Sequence, residues 1–498
     1  MRVPVVALTR RRGVRSAPVR RGQLDGQLTW IASTRTPGFP AAERDQVRMK
    51  GSVAGRSVGG MLSPHVSATV LAVLLSLTSP ALASAAWTAG AVVPHSAGAM
   101  WPAAAVNARG DVAVSWIQEG RSHGHATVRV LAAFRAGDGT RFSLRTLVDA
   151  RDLAARGATV ALDARGELTV AWIEQASDAG RWHGHKTVRA AYRSPSGRWS
   201  FVRAVGRSAA FNYASPRLAA TNTGTVVLTY NGFTSRTSGV VAAWRSRGRP
   251  FGSVQFVPVG HDHLLDPTLA VDPRGTAYLT GTLGCTGSAA KVIVAVAPSQ
   301  RRRFTRRITV DAAPGKVVRM AVMGPETVAM AWLNGRCNTT EDTGGVPRAT
   351  TLRDGAAAPP VDLGSSAGTG LIVSPALTGA EVSFTTWPST APNGTLAVSA
   401  VSADGRIEAP RGPVDGWIAL AGDPAGDQVV GRPEPAGGVT TPLAARAAGV
   451  LESAPVAAVG FPWTGSALAA HDGRALAALS FSPLSSMTPS LMIALWRP

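Results

Sequence analysis

One phrase recurs along this chain. VNARGDVAVSWI at 106–117 returns as LDARGELTVAWI at 162–173, ATNTGTVVLTYN at 220–231 and VDPRGTAYLTGT at 271–282. Weaker echoes stand at 322–333 and 376–387, and faint ones at 423–430 and 470–481. Aligned on the turn after a first strand, the copies carry Gly110, Gly166, Gly224, Gly275, Pro325, Gly379, Gly426 and Gly473, spaced by 56, 58, 51, 50, 54, 47 and 47 residues. Self-similarity at such a period means stacked copies of one supersecondary unit that cannot bury its apolar faces alone.

Each clear copy reads as four short strands. The second runs ATVALDA, ELTVAWIE, KTVRAAYR and RWSFVRAV, separated by Gly-, Pro- and Asp-containing turns, which is hairpin grammar. By alternation, Leu168, Val170 and Trp172 share one face of the second strand. Val112, Val114 and Trp116 repeat the pattern, as do Val226, Leu228 and Tyr230, and Trp332 continues it. The recurrent Trp is expected to pack between sheets. Radial repetition covers both faces of such a unit. The expectation is an all-β fold over 86–498: a single β-propeller of eight four-stranded antiparallel blades. Seven blades is the alternative, if 416–460 and 463–498 make one irregular blade plus a tail. Two packed β-sandwiches would also give many short strands. The last copy (SALAAHDG, RALAALSF, SLMIALWR) lacks a fourth strand. Trp87–Val93 is expected to supply it and close the ring.

The phrase LDARGELTVAWIE resembles the repeat of secreted bacterial β-propellers of the sialidase-like and NHL-like kind. The resemblance covers 86–498 as architecture and is specific in the first four copies. The sialidase Asp-box, S-x-D-x-G-x-T-W, is not intact: NARGDVAVSW and DARGELTVAW keep the Gly and the Trp only. None of Tyr192, Tyr213, Tyr230 and Tyr278 lies in a motif matching the sialidase nucleophile. The resemblance therefore implies a scaffold and transfers no catalytic residue.

The N-terminal region reads differently. Val66–Leu77 is a 12-residue apolar run, too short for a membrane span. It follows Arg48, Lys50 and Arg56 and precedes small residues at 81–85. This is the layout of a secretory signal peptide, with cleavage expected after Ala83 or Ala85. Residues 49–85 are assigned to that signal. Residues 1–48 are read as an over-called extension with translation starting at Met49, or as a disordered basic arm. The chain carries a net charge of +21. Of this, 12 basic and 3 acidic residues lie in 1–85, and 39 and 27 in the remainder. The positive charge is almost all arginine. It draws the protein to anionic surfaces, or reflects coding bias.

Function is expected in the loops, where rigid scaffolds carry their sites. RSHGHATVR at 121–129 and RWHGHKTVR at 181–189 place His123, His125, His183 and His185 in two consecutive copies. His261 and His263 precede the fourth copy and His95 the first. Imidazoles two residues apart can bind a divalent transition metal, or the motif is an inherited turn. Glu119 and Glu174, each ending a second strand, could complete a metal shell or act as a base. Cys285 and Cys337 each follow the second strand of consecutive copies, so an exported chain would pair them in one disulfide. RRRFTRR at 301–307 either grips a polyanion or protects an edge strand from foreign pairing. These features point to a secreted, monomeric, non-enzymatic module binding an extracellular glycan, an anionic cell-surface polymer or a protein. No specific nucleic-acid module and no membrane span after signal removal are expected. The alternative is an extracellular polysaccharide hydrolase or lyase using His and Glu, with a metal as assistant.

Overall fold

The computed structural model describes residues from Ala86 to Arg497, apart from parts of many connections. The segments 1–48 and 49–85 lie outside the described residues, as do His261, His263, Cys285 and Cys337. All regular structure among the described residues is β-strand, arranged in antiparallel sheets.

Among the described residues the strands fall into eight consecutive sets. The first is Ala99–Val106, Val112–Ser122, His125–Arg135 and Ser143–Arg151; the second is Leu153–Leu162, Leu168–Asp178, Arg181–Arg193 and Arg203–Ser208. The third is Arg217–Ala220, Val226–Phe233, Ser238–Arg245 and Gln255–Phe256, and the fourth Leu264–Val271, Ala277–Leu283, Lys291–Ala297 and Arg306–Asp311. The fifth opens with Gly315–Gly324, Thr327–Asn334 and Val346–Arg353, and the sixth centres on Glu381–Pro388. The seventh spans Ile418–Val459, and the eighth holds Ala467–His471, Arg474–Phe481 and Ser490–Arg497. A single pairing of Ser208 with Gly232 joins the second and third sets into one eight-stranded sheet. The N-terminal segment pairs with the final strand, Ala86 with Arg497 and Ala91 with Ile493.

Alternation in the second strand of each set determines the packing. Val112, Val114 and Trp116 enter one core, while Ala113 and Ile117 enter another that holds Leu168, Val170 and Trp172. Ala171 and Ile173 then meet Leu228 and Tyr230 of the third set. Val227 faces Ala277 and Leu279 of the fourth. Tyr278 faces Val328, Met330 and Trp332 of the fifth, whose Ala329 and Leu333 meet Val382 and Phe384 of the sixth. The second strands of the second to fifth sets are thus buried on both faces, each face by a different neighbour. Trp116, Trp172 and Trp332 are fully buried. The first strands also touch in succession: Ala99–Val106 meets Leu153–Leu162, which meets Arg217–Ala220, which meets Leu264–Val271, which meets Gly315–Gly324. Further on, Ile418–Gly422 meets Ala467–His471, and Ala467–His471 meets Ala99–Val106.

The turns between first and second strands explain the recurring phrase. Gly110, Gly166, Gly224 and Gly275 all have φ between 75° and 89°, a region where a Cβ is costly. Five residues before the second strand begins, a short polar side chain folds back. Asn107 Oδ1 accepts from the Asp111 N–H, Asp163 Oδ1 from Glu167, Thr221 Oγ1 from Thr225 and Asp272 Oδ1 from Thr276, all at 2.8–3.0 Å.

Polar contacts between sets repeat as well. The Arg193 guanidinium lies 3.9 Å from the centroid of Phe134, in the field of Asp111. One copy later, Arg245 lies 4.4 Å from the centroid of Tyr192 and forms an ion pair with Glu167. Its Nε donates to Thr169 Oγ1 at 3.1 Å. Both charged side chains of that pair are withdrawn from water, so removing one partner strands the other. Arg245→Met should lower the unfolding free energy by about 3–5 kcal/mol in urea titrations. The double change Arg245→Met with Glu167→Leu should recover most of that loss.

Candidate functional site

Two hairpins outgrow the rest. The second and third strands of the first set have eleven residues each, and those of the second set eleven and thirteen, against seven each in the fourth. Their tips form ribbons at one end of these two sets. In the first ribbon Ser122 pairs with His125 across a two-residue turn, with His123 at φ 53°. His125 Nδ1 lies 3.3 Å from the Asp152 carboxylate in the link to the second set, and both are about half exposed.

The two HGH motifs do not occupy equivalent places. In the second ribbon Asp178 pairs with Arg181, so the turn precedes the motif. His183 and His185 lie in the returning strand, with His183 opposite Ala176. The expectation that both motifs form one kind of loop is corrected: nine residues separate Ile173 from His183 against five between Ile117 and His123, and the four additional residues carry the motif past the tip. Among the described residues no three His, Cys, Asp or Glu side chains gather as a metal set.

The two glutamates differ too. Register places Glu174 level with Gln118, and Glu119 one residue further on, facing the opposite side of the sheet. Glu174 is buried and engaged: its carboxylate accepts from Trp172 Nε1 at 2.7 Å and from Arg189 Nε at 2.9 Å. Glu119 stands at the rim. Crowding by surrounding protein raises its carboxyl above the ordinary value, against the opposing pull of Arg156.

Trp101 and Arg156, absent from the sequence expectations, stand beside it. The first strand of each of these two sets bulges near its ribbon end, and the ladder skips from Met100 to Ala103 and from Arg156 to Thr159. At the bulge Trp101 takes φ 48° and leaves 43 % of its surface exposed. That backbone region is sparsely populated for a bulky side chain. Arg156 reaches within 5.9 Å of the Trp101 ring centroid. Lys186 is held below its ordinary pKa by burial and by Arg156. The recurrence of Pro102, Pro216 and Pro267 at one place in three copies was the available signal for this bulge.

A cleft of about 550 Å³ opens along the first ribbon, lined by Glu119, Arg121, Ser122, Arg129, Asp149 and Arg151 among others. Arg129 is paired with Asp149 at 3.0 Å. Arg121 and Arg151 have no ion pair among the described residues. The cleft can take a ligand carrying an acid group beside hydroxyls.

No family model and no curated protein matches this sequence. Solved structures give distant likenesses. A protein of unknown function from Dyadobacter fermentans is 11 % identical with a TM-score of 0.35, covering 64 % of this chain and 99 % of its own. The α-L-arabinofuranosidase Arb93A from Fusarium graminearum is 11 % identical with a TM-score of 0.37, covering 64 % and 98 %. An acylaminoacyl peptidase, 11 % identical with a TM-score of 0.41, is matched over 80 % of this chain and 51 % of its own, so the chain spans about half its length.

The Glu119 shift has a signed consequence. A carboxyl whose folded pKa is raised favours the protonated form, so its ionisation costs stability as pH climbs through the folded value. Glu119→Gln should therefore melt at a higher temperature than the native chain at pH 7. The difference should vanish near pH 3, where both side chains are neutral; thermal unfolding across pH 3–8 measures it.

Proposed function

We propose that this chain is a closed eight-bladed β-propeller, exported from the cell, that acts as a non-enzymatic binding module. Its ligand site is the ribbon end of the first two blades, and the ligand is an extracellular glycan bearing a carboxylate or sulfate group. The observation that carries the reading is the polar cleft of about 550 Å³ along the first ribbon, within the usual span of small-ligand sites (~300–1,000 Å³). Arg121 and Arg151 are its cationic contacts, and the exposed Trp101 indole is a stacking surface at the neighbouring bulge. The successive contacts of first strands, together with the pairing of Ala86–Trp87 against the last strand, support the ring.

Glycan-array screening of acidic and neutral oligosaccharides tests the site. Acidic glycans should be retained, and Arg121→Ala with Arg151→Ala should weaken binding at least tenfold while leaving the melting temperature within a degree or two. Retention of neutral glycans alone, or indifference to the double change, would remove the cleft as the site. The raised carboxyl of Glu119 favours a second reading, a hydrolase with Glu119 as general acid. Turnover of a bound glycan that disappears in Glu119→Gln would establish it in place of the binding module.

Closure and cross-linking have their own readout. Cys285 and Cys337 follow Leu283 and Asn334, the ends of second strands in consecutive sets, which supports a disulfide between them. Such a bond would close a loop of about 50 residues and stabilise by about 4 kcal/mol. A chain beginning at Trp101 should melt well below one beginning at Ala86, and the exported protein unfolded without reductant should yield no free thiol. Equal melting temperatures would sink the N-terminal closure, and two free thiols the disulfide.

A further inference from the structure

The opposite end of the sets is built by the short turns between first and second strands and between third and fourth. These turns form one continuous surface over five sets. Asn107 Nδ2 donates to the Asp163 carbonyl at 2.9 Å, linking the first set to the second. Arg247 pairs with Asp163 at 2.7 Å, and Tyr192 donates to the Gly248 carbonyl at 3.3 Å, linking the third to the second. Arg302 Nη1 donates to Ser246 Oγ at 2.6 Å, and the Glu326 N–H to Asp272 Oδ2 at 3.0 Å.

Among the described residues of the first four sets, the charges on this surface are segregated by depth. Asp111, Asp163, Glu167 and Asp272 are buried, and each is already engaged by a backbone N–H, an arginine or both. Above them Arg141, Arg165, Arg198, Arg249, Arg301 and Arg303 are exposed, one or two in the turns of each of the first four sets. None of the six has an ion pair among the described residues, whereas the exposed Arg274 is paired with Glu326. At the ribbon end Arg129, Arg189 and His125 each face a carboxylate, and Arg121 and Arg151 alone line the cleft without an ion pair among the described residues.

We propose that this turn face is a second binding surface, and that its partner is an extended acidic polysaccharide lying across the first four sets. It is separate from the ribbon-end site and goes beyond that reading. The arginines stand on successive turns, so they meet a linear chain of repeated anionic groups rather than one compact anion. Guanidinium groups suit sulfate and carboxylate oxygens by their planar fork of donors. The run at 301–307 takes part through Arg301 and Arg303, while Arg306 and Arg307 lie on the outer strand Arg306–Asp311.

Fluorescence anisotropy of a labelled heparin-derived oligosaccharide against the purified full chain, from 50 to 300 mM salt, tests the proposal. Polyanion binding releases counterions, so affinity should fall steeply with salt, with a log–log slope that grows with the number of charges neutralised. Arg165→Gln, Arg198→Gln and Arg249→Gln together should weaken binding at least tenfold and flatten that slope by about two to three. Arg301→Gln with Arg303→Gln is the second variant, and it should weaken binding in the same sense. Arg207→Gln, exposed on the outer strand Arg203–Ser208 away from the turns, should change this affinity less than twofold. An unchanged salt slope in both turn-face variants, or an equal loss in Arg207→Gln, would overturn the proposal. So would tighter binding of single-stranded DNA of equal charge, or of phosphatidylglycerol vesicles, than of the oligosaccharide.

Discussion

Two-sided burial of the second strand is the constraint on which everything else rests. A strand buried on one face needs one partner layer; a strand buried on both needs two, and each of those needs another. Val112–Ile117 shows the demand in six residues, with Trp116 committed to one side and Ile117 to the other. No single set can exist alone under that rule, so stability resides in the interfaces between sets. The turn polar residues and the arginine–aromatic contacts then decide how neighbouring sets are seated on one another. Their energetic weight is smaller than that of the apolar cores, but they act at defined angles and distances where the apolar contacts do not.

The scaffold leaves its two ends chemically distinct. At one end the second–third connections are free to lengthen, because a hairpin that outgrows its sheet keeps its own ladder of hydrogen bonds. The first two sets use that freedom, and the cleft beside Glu119 and Arg121 is the result. At the other end the turns are held short by Gly110, Gly166, Gly224 and Gly275 and by the side chains folded back beneath them. Variation there is limited to which side chain projects from a turn of constant shape. One end varies by length and the other by charge.

Much of this was legible in the sequence because the periodic signal is local. The four-strand grammar, the burial of Trp116, Trp172 and Trp332, and the glycine turns all follow from residues a few positions apart. The pairing of Ala86–Val92 with the last strand was legible for a different reason, since a missing strand at one terminus matched an extra strand at the other. What sequence could not supply was register. The HGH motifs look interchangeable as text, yet four extra residues before the second one move it off the tip and into a strand. Glu119 and Glu174 look equivalent by the same reasoning, but a one-residue offset turns them to opposite faces. Trp101 was missed because its role comes from a bulge that only the pairing with Met100 and Ala103 reveals.

The clamp of arginine on the preceding copy's aromatic ring bears on how such a protein can evolve. Arg193 needs Phe134 and Asp111, and Arg245 needs Tyr192 and Glu167. In the fourth set the corresponding strand ends in Ala297 instead. Each copy is therefore marked for its predecessor, and the marks differ along the chain. Copies that arose by duplication can no longer be shuffled, deleted singly or exchanged without burying a cation that has no counter-charge. The descent of this molecule has become a fixed order, in which repeats still alike in sequence have ceased to be spare parts for one another.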